Sequence, residues 1–394
     1  MIKLQRISLY LFFFSLNFEV WDPFHTNGFF SIAKLTGIIY FFASIPSILN
    51  YKTVDENKPL LKSIWLFFGL LLFMNAIHTD SISDNFFDFT IFQNIILFWI
   101  LINHEQSEHM VLEKGMLYFA LGSITLALLY YNDIGIEYIQ GRVSIFGDNQ
   151  NIIGQRMCIS IIILILAVMQ NKLQLKKARY LLLLPIPIMM GLMVETGSRL
   201  AILSFALVFI AGLALFKTKK KWWRIIVFLI GVISVFLIWQ FTMQNDVLRT
   251  RLLQSIYEGN LSNREVIWKN IIPLIKSNPI FGIGQAGYAK FSQATYSVYA
   301  SPHNVILEVL CFTGVTGLII YFYFLFRIFK SSRQIYRKEG LLLPILLLII
   351  TFCMIVASHI LEVKMGWAML AYAASSSILD LNADQQMDQI ADSK

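Results

Sequence analysis

Apolar runs of about 18 residues or more, the length of helix that crosses roughly 30 Å of hydrocarbon, recur from one end of this 394-residue chain to the other. They fall near 6–20, 29–48, 61–77, 86–103, 114–131, 151–169, 180–196, 199–216, 224–243, 303–326, 341–360 and 364–381. Composition agrees: 57% of residues are hydrophobic and 14% charged, against about 25% charged in soluble domains. The expected fold class is all-α, a polytopic membrane helix bundle of about twelve transmembrane helices with a long, partly helical loop on its outer side.

Loop charge sets the register, because retained cytoplasmic loops carry the Lys/Arg excess. With the N-terminus inside, 21 of the 32 basic residues fall on the cytoplasmic side, among them Lys58, Lys172, Lys176, Lys177, Arg327 and Lys338. Both termini are therefore expected in the cytoplasm, and the net charge of +8 reflects topology and not nucleic-acid binding. The first apolar segment lacks a small-residue cleavage site and leads into further spans, so no cleavable signal peptide is expected. Cys158, Cys311 and Cys353 are widely spaced within expected helices, which indicates neither a disulfide framework nor a zinc site.

Two outer segments are long, residues 132–150 and 244–302. Long loops in compact folds are commonly functional. The second contains "NREVIWKNIIPLIKSNPIFGIGQAGYAKF", where Val266, Ile267, Ile271 and Leu274 form an amphipathic helical pattern before Gly/Pro turns. It is expected to fold back on the bundle. No repeat of 20 to 50 residues is present.

The stretch "SPHNVILEVLCFTGVTG", residues 301–317, places a histidine at the mouth of an apolar helix. Ser301 suits an N-cap and Pro302 the first helical position, which predicts His303 in the first turn. Unpaired N–H groups and the helix dipole there disfavour imidazolium, so His303 should be a neutral base. Gly314 and Gly317 follow close to the same face and predict tight approach of another helix. The competing reading of this pattern is a headgroup-level histidine among packing glycines. Glu308, about 140° round the helix, is not expected to orient the imidazole.

Arginines gather on the same side: Arg142 in the first outer loop, Arg199 in "ETGSRLAILSF", Arg264 in "NREVIW", and Arg156 about one turn inside a span. Guanidinium groups grip phosphate oxygens bidentately and stay charged at any working pH. Several of them with one neutral histidine suit a diphosphate leaving group and a hydroxyl nucleophile. Arg249 and Arg251 read instead as interface residues, and His359, His78, His104 and His109 show no metal-ligand spacing. No metal and no cofactor is called for.

"TGSR" at a helix start, a long loop with "REVIW" and "SNPIFGIGQAGY", then "HN" followed by "GVTG" resembles the O-antigen ligase and O-antigen polymerase superfamily of bacterial integral-membrane polysaccharide glycosyltransferases. The resemblance is carried by residues of about 180–345 and divides the chain into N-terminal transmembrane helices at 1–179, an O-antigen ligase-like core at 180–345 with periplasmic loop 244–302, and C-terminal helices and tail at 346–394. It implies a metal-independent transferase in the bacterial inner membrane, multi-pass, with its active site facing the periplasm. The implied donor is an undecaprenyl-diphosphate-linked glycan; the implied acceptor is a lipid-linked repeat unit (polymerase, slightly favoured) or lipid A-core (ligase), among membrane lipid. By position, Arg199 and Arg264 would bind the diphosphate and His303 would serve the reacting centre, with Arg142 a further diphosphate-binding and Asn151 a further substrate-binding residue; Arg156, from its own place inside a span, is a fourth diphosphate-binding candidate and Asn304 a second substrate-binding one. "GRVSIFGDNQNIIG" departs from the family's earlier-loop pattern around Arg142 and Asn151. A secondary transporter or flippase is the alternative from another class. The chain displays neither inverted repeats nor paired broken spans in its sequence.

Overall fold

The structure, a computed structural model, describes residues 2–26, 30–51, 55–79, 88–170, 176–216, 243–257 and 264–375, with a few single positions between them. Fourteen α-helices lie among these residues: α1 (Ile2–Ser15), α2 (Ile32–Ile48), α3 (Lys58–His78), α4 (Phe89–Ser107), α5 (Val111–Tyr131), α6 (Gln150–Gln170), α7 (Ile186–Glu195), α8 (Arg199–Leu215), α9 (Asp246–Tyr257), α10 (Arg264–Ser277), α11 (Gly284–Tyr296), α12 (Val305–Glu339), α13 (Leu343–Ala357) and α14 (Lys364–Ser375). An apolar backbone out of water must satisfy its own hydrogen bonds, and helices do so within one segment.

Stretches 58–78, 111–131, 150–170, 177–195 and 305–339 are long and apolar enough to cross a membrane, and α2, α8 and α13 are apolar but shorter. The all-α, multi-pass reading stands. The count of about twelve crossing helices is not reached among the described residues. The first apolar run breaks into a 3-10 turn at Leu16–Phe18, most of the run at 224–243 lies outside the described residues, and the last run is described only to Ser375.

The first outer loop holds an unanticipated β-hairpin, β1 (Ile136–Ile139) with β2 (Arg142–Ile145), in antiparallel register Ile139↔Arg142. Its two-residue turn, Gln140 and Gly141, has φ of 53° and 73°, the geometry that matches the natural twist of a tight hairpin. Val143 and Ile145 are buried in the apolar core, while Arg142 and Ser144 point the other way.

Helix α6 is the axis of the bundle: it packs against α5, α7, α8, α13 and β2, and most of its side chains are buried. That makes Arg156, 1% exposed, a costly residue to keep there. Its guanidinium is neutralised from both sides, by an ion pair with Asp148 and by Glu19 at 3.6 Å, and Nη1 also donates to Asn17 O at 3.3 Å. Glu19 in turn takes the Lys364 ammonium at 3.1 Å. The network ties the end of α1, the β2–α6 connection, α6 and the start of α14 together.

Residues 244–302 contribute α9, α10 and α11, and the way they dock is set by a break in α12. Gly314 has φ 62° and ψ −163° in mid-helix, a region essentially restricted to glycine. A Cβ there would sit 2.3 Å from the backbone of Ile280. The turn joining α10 to α11 enters the break: Val315 N donates to Pro279 O at 2.9 Å, Thr316 N to Ile280 O at 3.1 Å, and Ile283 N to Cys311 O at 2.9 Å. Backbone groups that the kink strips of helical partners are thus satisfied by the loop. A second anchor comes from α3, where buried Asn75 Oδ1 accepts from Gln285 N at 2.7 Å and Ala286 N at 3.2 Å, capping α11. The expectation that Gly314 and Gly317 form a stripe for a neighbouring helix is corrected: Gly314 admits a loop, and the atoms closest to Gly317 belong to Thr313 of its own helix.

Gly314→Ala should therefore destabilise the protein by about 1–3 kcal/mol from backbone strain alone, with a further loss from the clash. Gly69→Ala, where a Cβ meets nothing within 4 Å, should be neutral. Thermal unfolding of the purified proteins in one detergent compares them, and equal midpoints would refute the assignment. Arg156→Leu, which strands the Asp148 carboxylate, should cost about 3–5 kcal/mol, and adding Asp148→Leu should recover part of it in the same assay.

Candidate functional site

The segment 298–304 that carries His303 is held before any substrate arrives. Helix α11 grips its start: Tyr288 OH donates to Ala300 O, Ala300 N donates to Ser292 Oγ at 2.7 Å, and Ser292 Oγ donates to Val298 O at 3.1 Å. Helix α10 grips its middle through Trp268 Nε1, which donates to Pro302 O at 2.9 Å. The cap of α12 is Asn304, whose Oδ1 accepts from Ile306 N at 3.0 Å and Leu307 N at 3.2 Å. This corrects the expected register: Ser301 is not the cap, and His303 lies just outside the helix, not in its first turn. Ser301 Oγ instead accepts from His303 N at 3.2 Å and donates to buried Glu308 at 3.0 Å. Glu308 thereby reaches the His303 backbone through Ser301.

His303 adopts φ 50°, uncommon for a residue with a β-carbon. Its ring meets that of His359, in the turn after α13, with the two Nδ1 atoms 3.3 Å apart. Burial first, then His359 and Arg264, push the His303 imidazole down to about 4, so it is neutral at pH 7. His359 is likewise lowered, by burial and then by Arg264, with Glu19 opposing.

The arginines come together around the turn between α7 and α8. Gly197, φ 61°, lets the Arg142 side chain lie against it, since a Cβ would meet Arg142 Cγ at 3.2 Å. Arg142 Nε donates to Thr196 O at 2.8 Å, and Arg251 Nη1 donates to Gly197 O at 3.2 Å. Both cations sit just beyond the C-terminal end of α7, where the helix dipole is negative. Arg199 Nη1 donates to Arg251 O at 2.8 Å. Arg199 and Arg264 open α8 and α10, and a cation at a helix N-terminus is misplaced with respect to the dipole. An anion is what such ends attract.

Burial, then the charges of Arg251, Arg199 and Arg264, pull Arg142 down to about 9. Arg251 is lowered by burial and then by Arg199 and Arg264, and Arg264 by burial and then by Arg199. These guanidinium groups repel one another inside partly buried surroundings. Glu265 lies within electrostatic reach of Arg199 as a counter-charge. A bound polyanion would relieve the repulsion.

Of the residues singled out from sequence, the fold brings Arg142, Arg199 and Arg264 into one electrostatic cluster, with His303 within reach of the Arg264 charge. Asn151 Oδ1 accepts from Arg142 Nη2 at 2.8 Å and so orients that side chain. Asn304 is occupied as a cap. Arg156 is enclosed in its own ion network and stands apart from the cluster. Sequence reasoning passed over Arg251 and His359. Nothing in "DVLRTRLL" separates Arg251 from Arg249, and His359 lies 56 residues beyond its partner, so neither carried a local signal.

Residues 184–322 match the family model described as O-antigen ligase. No curated protein matches the chain. The matched stretch contains Arg199, Arg251, Arg264 and His303, whereas Arg142, Arg156 and His359 lie outside it. Residues 184–322 of this multi-pass membrane protein are thus similar to the O-antigen ligase family, and the match falls on the stretch that carries the sequence resemblance to the O-antigen ligase and polymerase superfamily and supports it.

Proposed function

We propose that the protein is a glycosyltransferase at the periplasmic face of the bacterial inner membrane, both termini cytoplasmic, that moves a glycan from undecaprenyl diphosphate to an acceptor hydroxyl. The observation that carries the reading is the convergence of Arg142, Arg199 and Arg251, from three separate parts of the chain, around one turn, with Arg264 in electrostatic reach of them and of a neutral His303. In the reaction the bond from the anomeric carbon to the diphosphate oxygen breaks and a bond to the acceptor oxygen forms. His303 takes the hydroxyl proton, and the arginines stabilise the charge that grows on the departing lipid diphosphate. Fixed guanidinium charges serve where other transferases use a divalent cation. Arg156 is left out of this set because its charge is already paired within the fold.

The acceptor is proposed to be a lipid-linked repeat unit, making the enzyme an O-antigen or exopolysaccharide polymerase. Transfer to lipid A-core is the alternative. A deletion strain complemented with wild type or His303→Ala separates them on a gel of surface polysaccharide and of the lipid-linked pool. Single-repeat chains on lipid A-core mark a lost polymerase; long chains stranded on the lipid carrier mark a lost ligase. A wild-type ladder from His303→Ala at matched expression would refute the role of His303.

Arg264→Ala should lower kcat/KM by roughly 10²–10³, with Arg264→Lys restoring only part because it lacks the planar fork. The pH dependence follows from the His303 shift. A base acts when deprotonated, so with its pKa at about 4 kcat/KM should stay level from pH 7 down to about 5 and fall only as pH passes through about 4. An acid limb at the ordinary histidine value of about 6.5 would show that the free enzyme does not hold His303 neutral.

A further inference from the structure

We infer that His359 is a positioning residue for His303: its Nδ1 accepts the His303 Nδ1–H and leaves the His303 Nε2 lone pair as the base. The inference rests on the proposed role of His303 and goes beyond it by assigning the partner and the tautomer.

Two ring nitrogens 3.3 Å apart must share one proton, since two lone pairs or two N–H groups would repel. Two arrangements satisfy this. If His359 donates, the His303 proton sits on Nε2, and the His303 lone pair faces only His359. No nitrogen of His303 could then take a proton from an acceptor hydroxyl. If His303 donates, Nε2 is unprotonated and free to accept. After transfer the His303 ring carries protons on both nitrogens, and neutral His359 still accepts from one of them, sharing the new charge. The Arg264 charge acts on both rings and disfavours protonating the two together, so His359 remains an acceptor through the cycle.

Each histidine is anchored independently of the ring contact. His359 precedes a 3-10 turn, Ile360–Glu362, whose Leu361 O accepts from Asn94 Nδ2 of α4 at 3.1 Å and from Trp367 Nε1 of α14 at 2.8 Å. His303 is held through Ser301 and Pro302. The rings are tilted by 60° with centroids 5.3 Å apart, an arrangement for an edge-on hydrogen bond and not for stacking.

The test uses the full-length enzyme in detergent or nanodiscs with a lipid-linked glycan donor, comparing His359→Asn, His359→Gln and His359→Phe. Asn places an oxygen acceptor where Nδ1 stood, whereas Gln reaches past it and Phe offers none. His359→Phe and His359→Gln should lower kcat on the order of 10²-fold with KM for the donor little changed, and His359→Asn should recover to within about tenfold of wild type. In a His303→Ala background, His359→Phe should lower the rate no further. Equal kcat for wild type, His359→Gln and His359→Phe would overturn the inference, as would His359→Asn failing as completely as His359→Gln at equal thermal stability. Wild-type activity in His303→Ala would instead overturn the reading beneath it, so the two failures are distinguishable.

Discussion

The site depends on a broken helix. Helix α12 cannot run straight through Gly314, and the backbone groups freed there bind the turn at Pro279–Ile283. That docking orients α10 and α11 against the bundle, and these two helices hold the segment bearing His303 through Trp268, Tyr288 and Ser292. The helical hydrogen bonds lost at one glycine are replaced by bonds that fix a long loop. Positioned side chains need such support, because a shift of about 1 Å at a reacting group costs much of its effectiveness.

Charge is handled in two opposite ways within the same fold. Arg156, in the central helix, is surrounded by carboxylates and becomes part of the scaffold. The arginines around Thr196 and Gly197 meet main-chain carbonyls, the Asn151 amide and one another's charge, with Glu265 in electrostatic reach of Arg199. Carbonyl dipoles hold Arg142 and Arg251 in place at the end of α7. The same residue type is thus enclosed by carboxylates in one place and gathered with its own kind in the other, and the difference lies in which groups the fold brings alongside.

Much of the fold was legible in the chain. The apolar runs located most helices to within a few residues, and the amphipathic pattern around Val266 and Ile271 anticipated α10. The hairpin at 136–145 was missed although "IQGRVSI" carries its turn, because in a membrane chain a short polar loop reads as a connection. The helix start at Asn304 was displaced by the stronger local preference for Ser-Pro, which Ser301 forgoes to bind Glu308. Among the site residues, Arg142, Arg199, Arg264 and His303 stood out because polar groups near apolar spans are few.

The sequence by itself determined an all-helical membrane chain, its resemblance to one superfamily and the residue types able to meet a diphosphate and a hydroxyl. Period and composition are local properties, and they survive any arrangement of the helices. Tertiary structure alone decided that Arg251 joins the cluster, that Arg156 leaves it and that His359 meets His303. Those outcomes rest on distances between residues far apart in the chain, which follow from how the helices and the inserted loop pack.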